Sequence, residues 1–135
     1  MKISKKSQYG LRAMVYLARV FSKKTPTPLR EISESEDIPF DFLEKIFSEL
    51  EKEKLVKAKK GAGGGYFLAK DPKKITAGEI IGHLEEPAVL VGCSGCPRAG
   101  ICSTEEIWEE AQESLDSALN ITLAELIKPK NGKKK

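Results

Sequence analysis

Apolar residues recur at steps of three and four positions in two stretches of the N-terminal half, and this spacing predicts two helices. The first helix runs from Ser4 to Phe21, and its wide apolar stripe should lie deep in a core or between subunits. The second runs from Phe40 to Glu53. Its apolar side consists of Leu43, Ile46, Phe47 and Leu50, and its polar side of Asp41, Glu44, Lys45 and Ser48.

A short helix is predicted between these two, extending through Ile32 to Ser35. Thr27 can cap this helix, and Pro28 suits its first turn. The break at residues 36–39 then leads into the second of the longer helices. A short helix, a tight turn and a following helix with a polar outer face are typical of a helix-turn-helix.

Two short apolar runs, residues 55–58 and 66–69, flank a glycine-rich segment and predict a β-hairpin. The glycine-rich segment does not indicate a phosphate-binding loop, because no Gly-Lys-Ser/Thr follows it and it enters a strand. Basic residues on the hairpin instead favour a wing that lies along a phosphate backbone. These residues are Lys57, Lys59 and Lys60, with Gly63 and Gly64 at the tip. A solvated hairpin with a basic edge is the alternative.

The C-terminal half is predicted to hold two helices, one before and one after a cysteine-rich segment. Thr76 and Glu79 form a capping box for the first, and Ser103 and Glu106 form one for the second, which is long. One face of the long helix is apolar, and we expect it to pack on a second copy of the chain, because a small domain cannot cover it. This face consists of Trp108, Ala111, Leu115, Ala118, Leu119, Thr122 and Leu126.

The predicted fold is mainly α with a small β-hairpin wing: a winged helix-turn-helix domain plus a long C-terminal dimerisation helix. We assign residues 1–74 to the DNA-binding domain, residues 75–127 to the short helix, cysteine segment and dimerisation helix, and residues 128–135 to a disordered basic tail. Residues 1–74 carry 17 lysines and arginines and 10 acidic residues, whereas residues 75–127 carry one arginine and 10 acidic residues. A cationic first domain is what a polyanion-binding surface requires.

Composition narrows the class of protein. Of 135 residues, 40% are hydrophobic and 32% are charged, which suits one globular domain with an appendage. No apolar run approaches the ~18 residues of a membrane span, and the N-terminus does not read as a secretory signal. We therefore expect a cytoplasmic protein with no membrane partner. A single histidine and the lack of any nucleophile–histidine–acid order predict that the chain is not an enzyme.

All three cysteines, Cys93, Cys96 and Cys102, lie in one stretch that we call the cysteine segment, from the first of them to the last. Three thiolates on a stretch rich in glycine, serine and proline can converge on one soft metal centre, either zinc or an iron–sulfur cluster. Both usually take four ligands, so His83, Glu105, solvent or a partner must supply the fourth. Thiols placed together by chance are the alternative.

Several short motifs follow the order found in one known family. They are Tyr9-Gly-Leu-Arg-Ala-Met, Ile38-x4-Leu43-Glu44-x2-Phe47, Gly61-x-Gly-Gly-Gly-Tyr66, Ile75-Thr-x-Gly-Glu79, the cysteine segment and Ile121-Thr-Leu-x-Glu-Leu. Through them the chain resembles the IscR-like (Rrf-type) winged-helix transcription regulators over nearly its whole length. The Gly-x-Gly-Gly-Gly-Tyr wing is the most specific of the motifs.

The resemblance implies a homodimer that binds a roughly palindromic operator in double-stranded DNA. It also implies that Cys93, Cys96 and Cys102 hold an iron–sulfur cluster, [2Fe–2S] in preference to [4Fe–4S]. The state of this cluster would set the affinity for DNA in response to redox conditions, nitric oxide or iron–sulfur supply. Asp41 and Glu44 fall on positions that meet base edges in the family.

Two sets of residues follow from these expectations. The DNA-contacting set is Lys5, Lys6, Arg12, Asp41, Glu44, Lys45, Ser48, Lys57, Lys59, Lys60, Gly63 and Gly64. The dimerisation set is Trp108, Leu115, Leu119 and Leu126.

The chain departs from the family pattern around the cysteines. The first two cysteines are closer together than usual, Glu105 stands where a ligand histidine is known, and Gln8 stands where nitric-oxide-sensing members have an acidic ligand. The resemblance therefore does not fix the cluster type or the fourth ligand. Two other functions stay open: a cluster-free regulator of the same fold controlled by a partner protein or small ligand, and a zinc-stabilised interaction module.

Overall fold

The computed structural model describes residues 2–85, 89–92 and 96–128. The α-helices within these residues are α1 (Lys5–Arg19), α2 (Leu29–Glu36), α3 (Phe40–Lys52), α4 (Ala77–Leu84), α5 (Glu105–Leu119) and α6 (Leu123–Leu126). Strands β1 (Val56–Lys59) and β2 (Gly65–Leu68) form an antiparallel hairpin between α3 and α4. The predicted mainly helical fold with a hairpin wing is confirmed.

One hydrophobic core contains residues from helices α1, α2, α3 and α4, from the hairpin and from α6. The four apolar residues predicted for α3, namely Leu43, Ile46, Phe47 and Leu50, are all fully buried, as are Met14 of α1 and Ile80 of α4. Because all four α3 residues point inward, the polar side of α3 is left on the surface of the molecule. Within the described residues, no helix is both long enough and apolar enough to cross a membrane.

Gly10 lets α1 and α4 pack at close range. A Cβ atom at this position would lie 2.3 Å from Cδ1 of Leu84 on α4 and 3.4 Å from Cγ2 of Ile46 on α3. Leu84 is only 2% exposed, so its side chain has little room to move away. The glycine therefore fixes how closely the first and fourth helices approach.

The hairpin is extended by a third segment that the sequence did not indicate. Thr27 and Tyr66 exchange two backbone hydrogen bonds, both 2.8 Å long, so residue 27 pairs with β2 on the side opposite β1. The prediction that Thr27 caps α2 is wrong, because its backbone is committed to this bridge. Pro28 holds the cap position instead, with no side-chain cap, so it precedes the first helical turn.

The long C-terminal helix that was predicted to reach residue 126 is in fact two helices, α5 and α6. α5 ends at Leu119, and α6 begins after a full capping box between Thr122 and Glu125. Leu123 is fully buried, and its N–H donates to the carbonyl of Ile75 over 2.9 Å. Leu126 therefore lies on α6 and packs against the core of its own chain.

Of the two capping boxes predicted earlier, one is half formed and one is absent. The hydroxyl of Thr76 accepts from the N–H of Glu79 over 3.1 Å, but the Glu79 carboxylate pairs with Lys70. At the start of α5, residue 104 holds the cap position and makes no side-chain cap. The Ser103–Glu106 box is therefore wrong.

Candidate nucleic-acid interface and cysteine segment

The polar side of α3 presents the side chains that were predicted to face DNA. Asp41, Glu44, Lys45 and Ser48 are all exposed on this helix. They lie opposite the buried face, on the second helix of the α2–α3 pair, which is the element that enters the major groove in helix-turn-helix proteins. The structure thus brings these four residues together on one exposed surface.

The wing presents lysines along β1 and glycines at its tip. Lys57, Lys59 and Lys60 are exposed, and the alternation along β1 turns Lys57 and Lys59 to the same side. Gly63 has φ of 75°, a conformation that side chains disfavour. A Cβ on Gly64 would lie 2.2 Å from the carbonyl oxygen of Lys59, so the tight tip itself requires glycine there.

Three predicted phosphate contacts on α1 already have partners within the chain. Lys6 forms an ion pair with Glu49 over 3.2 Å, and Arg12 forms one with Glu36 over 3.6 Å. Lys5 lies 5.8 Å from the ring centroid of Tyr9. Ion pairs this exposed contribute only about 0–1 kcal/mol, so phosphate can replace the carboxylates at little cost. These contacts remain predictions.

Arg30 is a basic residue on this side of the molecule that the sequence analysis missed. Its guanidinium lies 4.9 Å from the ring centroid of Phe40, and it lines a groove together with Lys59 and Lys60. The sequence did contain a signal for this residue, because Arg30 lies in the first turn of the first helix of the predicted helix-turn-helix. Its proximity to the wing depends on the Thr27 bridge, which no local pattern predicts.

The structure describes two of the three cysteines, since Cys93 lies outside the described residues. Cys96 is exposed and Cys102 is half-buried, at the two ends of a turn through residues 97–101. Cys102 Sγ lies 3.2 Å from Oγ1 of Thr104, and this hydrogen bond holds the pKa of the thiol below its usual value. A lowered pKa favours the thiolate, which is the form that binds a metal.

Of the two protein candidates for a fourth ligand, Glu105 lies at the cysteine segment. Its Oε1 accepts from the N–H of Gly100 over 2.8 Å, which holds the carboxylate against the turn. His83 instead faces Glu53, with Nδ1 3.4 Å from a carboxylate oxygen. Thiolates with one carboxylate fit iron or zinc by donor chemistry. Within the described ranges, no three such groups converge as a formed metal site.

Glu85 ties the end of α4 to the start of α1. Its Oε1 accepts from the Ser7 hydroxyl over 2.6 Å, from the Ser4 hydroxyl over 2.9 Å and from the Ser4 N–H over 3.2 Å. The hydrogen bond from Ser7 is the main reason that the pKa of Glu85 lies below the ordinary carboxyl value. This contact, which we call the Glu85 clasp, stands eight residues before Cys93.

α5 is exposed along its length. None of its residues is buried within the described chain, and Ile107 and Trp108 are 60% and 37% exposed. Leu115 and Leu119 are half-buried. One link holds this helix to the segment before the cysteines, since the Leu90 N–H donates to the side chain of Gln112 over 2.8 Å.

Comparison with known proteins identifies the class of regulator. The sequence model of the Rrf2 family, described as iron-dependent transcriptional regulator, matches residues 3–129. The HTH-type transcriptional regulator IscR of Klebsiella pneumoniae (strain 342) is 38% identical over 131 residues, which are 94% of this chain and 80% of that protein. The prediction that the chain is not an enzyme is confirmed by these relatives.

Two solved structures share the fold. IscR of T. potens has a TM-score of 0.79 at 34% identity, covering 94% of this chain and 86% of that one. CymR, the global cysteine regulator of B. subtilis, has a TM-score of 0.79 at 34% identity, covering 93% of this chain and 95% of its own. Sequence and fold agree, and the chain belongs to the Rrf2 family of transcriptional regulators.

Proposed function

We propose that this transcriptional regulator binds a palindromic operator as a homodimer, and that an iron–sulfur cluster in the cysteine segment sets its affinity for DNA. Cys93, Cys96 and Cys102 would hold the cluster, with Glu105 as the candidate fourth ligand. The description of the family as iron-dependent supports this assignment. The preference for a [2Fe–2S] cluster is part of the same proposal.

The Glu85 clasp is the observation that carries the proposal. Glu85, which is bonded to the start of α1, precedes the cysteine segment by eight residues, and Glu105, the first residue of α5, follows it by three. A change in the conformation of the segment would act on a helix of the DNA-binding domain on one side and on α5 on the other. Coupling of about 1–3 kcal/mol, or 5–150-fold in affinity, suffices for control.

On the DNA, the basic and acidic side chains have different tasks. Lys57, Lys59 and Lys60 donate to phosphates, which fixes position without reading sequence. Glu44 on α3 accepts from a cytosine amino group in the major groove and repels misplaced phosphate. Glu44→Ala should therefore relax discrimination at one base pair, whereas Lys60→Ala should weaken binding to every sequence. Equal loss on operator and random DNA for Glu44→Ala would contradict its assignment.

The exposed face of α5 supports the homodimer. A tryptophan and an isoleucine stand open on a helix with no buried residue in the described chain. Such faces are usually covered in the assembled protein, and a second copy covers it most simply through two-fold symmetry. Two winged domains related by that symmetry read two half-sites of an operator.

When bound, the cluster supplies an iron–thiolate link that oxidation, nitric oxide or iron shortage can break. The chain supplies the thiolates. The hydrogen bond between Cys102 and Thr104 lowers the pKa of this thiol and so favours the thiolate, while Glu105 holds the turn through the Gly100 N–H. With its ligands released, the segment loses a restraint between the Glu85 clasp and α5.

Anaerobic purification with iron and sulfide assays, visible absorbance and sedimentation tests the proposal. We expect a coloured dimer whose operator affinity changes when the iron is removed. A variant with all three cysteines changed to serine should bind DNA with the same affinity before and after iron removal, and Ser103→Ala, a change beside the cysteine segment, should behave as wild type. Colourless protein with stoichiometric zinc would favour the interaction module. Operator binding indifferent to iron would favour a cluster-free regulator.

A further inference from the structure

A basic groove lies between the wing and the first turns of α2 and α3. Its volume is 410 Å³, and its walls include Arg30, Phe40, Lys59, Lys60 and Tyr66. Its described lining contains three cationic side chains and no carboxylate. The Thr27–Tyr66 bridge builds this groove, because it brings the strand that ends the wing against the residues that begin α2.

Arg30 is held in place at the groove by an aromatic ring. The 4.9 Å separation between its guanidinium carbon and the Phe40 centroid is a cation–π distance, and an arginine in such a contact can still donate its N–H groups to a ligand. Within the described residues Arg30 forms no ion pair, whereas Lys6 and Arg12 each have a carboxylate partner. Its charge is therefore available to a ligand.

The direction of the groove follows from what lies on its two sides. The first turns of α2 and α3 form one side, and the hairpin forms the other. α3 would occupy the major groove, and the hairpin would lie over the neighbouring minor groove. A single sugar–phosphate strand separates a major groove from the minor groove beside it. That strand must cross the space between α3 and the wing, where Arg30 stands.

We propose that Arg30 binds a phosphate of the strand that crosses this groove, with Lys59 and Lys60 on the facing wall. The planar guanidinium can donate to two phosphate oxygens at once, which a lysine ammonium cannot do in the same geometry. Arg30 is thus a DNA-backbone contact additional to the predicted set. The assignment rests on the proposed DNA binding and on no property of the cysteine segment.

The test compares three variants of the full chain on two fluorescent duplexes. One duplex has random sequence, and the other comes from a pool selected for binding to the wild type. Arg30→Ala removes the charge, Arg30→Lys keeps it without stacking or bidentate donation, and Lys73→Ala removes an exposed charge outside the groove. Affinity is measured over a series of salt concentrations.

For Arg30→Ala we expect the slope of log K against log salt to fall by about 0.9 for each subunit bound. This corresponds to about eightfold weaker binding per subunit near 0.1 M salt, equal on both duplexes. Arg30→Lys should keep the slope and bind less tightly, and Lys73→Ala should match the wild type. Circular dichroism of each variant confirms that the fold is intact.

Three results would overturn the assignment. Arg30→Ala with the wild-type slope means that Arg30 contacts no phosphate. Loss confined to the selected duplex means that Arg30 reads a base, and equal loss in Lys73→Ala means that only overall charge matters. Wild-type protein that binds neither duplex at low salt refutes the proposed function and the Arg30 contact together, whereas the three results above refute the contact alone.

Discussion

Removing the Glu85 carboxylate should destabilise the fold through Ser7. Ser7 is fully buried, and its hydroxyl donates to Glu85 over 2.6 Å, so Glu85→Ala removes its charged acceptor and leaves it the Ser4 hydroxyl at 3.3 Å. A hydrogen bond to a charged group contributes about 1.5–3 kcal/mol. The groups of Ser4, which are closer to solvent, can bond to water instead. We expect a loss of about 2 kcal/mol, or about 5–10 °C in melting temperature for a chain of this size.

A double-mutant cycle separates the clasp from other effects of the substitution. Ser7→Ala alone removes one hydrogen bond to a charged acceptor, and Glu85→Ala in the Ser7→Ala background no longer takes that acceptor from a buried hydroxyl. The double variant should therefore be more stable than the sum of the single losses predicts, by about 1 kcal/mol. Thermal or urea unfolding measures the stability of all four proteins. The protein concentration is kept the same, because the proposed dimer would gain stability with concentration.

The clasp should also give stability a defined dependence on pH. The pKa of Glu85 is lowered in the folded chain, so the folded state favours the ionised carboxylate. Its contribution is complete above the unfolded pKa and is lost as pH falls through the folded pKa. The gap in melting temperature between wild type and Glu85→Gln should therefore stay constant from neutral pH to the ordinary carboxyl pKa. It should narrow as the solution is acidified further, through the lower pKa of the folded chain.

Two observations would refute the account of the clasp. One is additivity of Ser7→Ala and Glu85→Ala, which would mean that the two side chains do not interact energetically. The other is a stability gap between wild type and Glu85→Gln that does not change as the solution is acidified. Either result would also remove the main support for coupling between the cysteine segment and α1.

Two further predictions follow from close contacts elsewhere. Gly10→Ala places a Cβ in the packed interface between α1 and α4 and should cost about 1–3 kcal/mol in unfolding free energy, whereas Gly82→Ala, at a helical position with open space around it, should be neutral or stabilising by up to about 1 kcal/mol. Equal melting temperatures for these two variants would contradict the packing account. Thr104→Ala removes the hydrogen bond that lowers the pKa of Cys102, so iodoacetamide should modify this thiol more slowly at neutral pH in metal-free protein, as followed by peptide mass spectrometry. Ser103→Ala is the control, and an unchanged rate in Thr104→Ala would contradict the assignment.

The spacing of apolar residues was sufficient to predict the buried side of a helix that packs one face on the core. α3 is the best case, since its four apolar positions and four polar positions fall on opposite sides as the pattern predicts. The same rule failed at the C-terminus because the apolar spacing continues in register past Asn120, where the helix stops. The Thr122–Glu125 capping box was visible in the sequence and marks where a helix starts again.

The candidate site depended more on contacts between distant residues, which local patterns do not contain. Threonine is a common helix-cap residue, which is why a cap was predicted at Thr27. The backbone of Thr27 instead pairs with Tyr66, far along the chain. Lys6 and Arg12 were predicted to contact phosphates, and the carboxylates that pair with them in the structure come from other helices. The Glu85 clasp likewise joins residues 78 positions apart.

The return of α6 to the core has a consequence for experiments on fragments. Leu123 fills a fully enclosed position, and residues 121 and 123 exchange backbone hydrogen bonds with Ala77 and Ile75. A recombinant fragment that ends before residue 120 would lack Leu123 and so would have a cavity in its core. It would also expose the N–H of Ala77 and the carbonyl of Ile75 to solvent. The C-terminal end of α5 is thus fixed to the core through α6, because Leu126 and Ile127 also pack against it. Fragments made to study the exposed face of α5 therefore need to continue to residue 127.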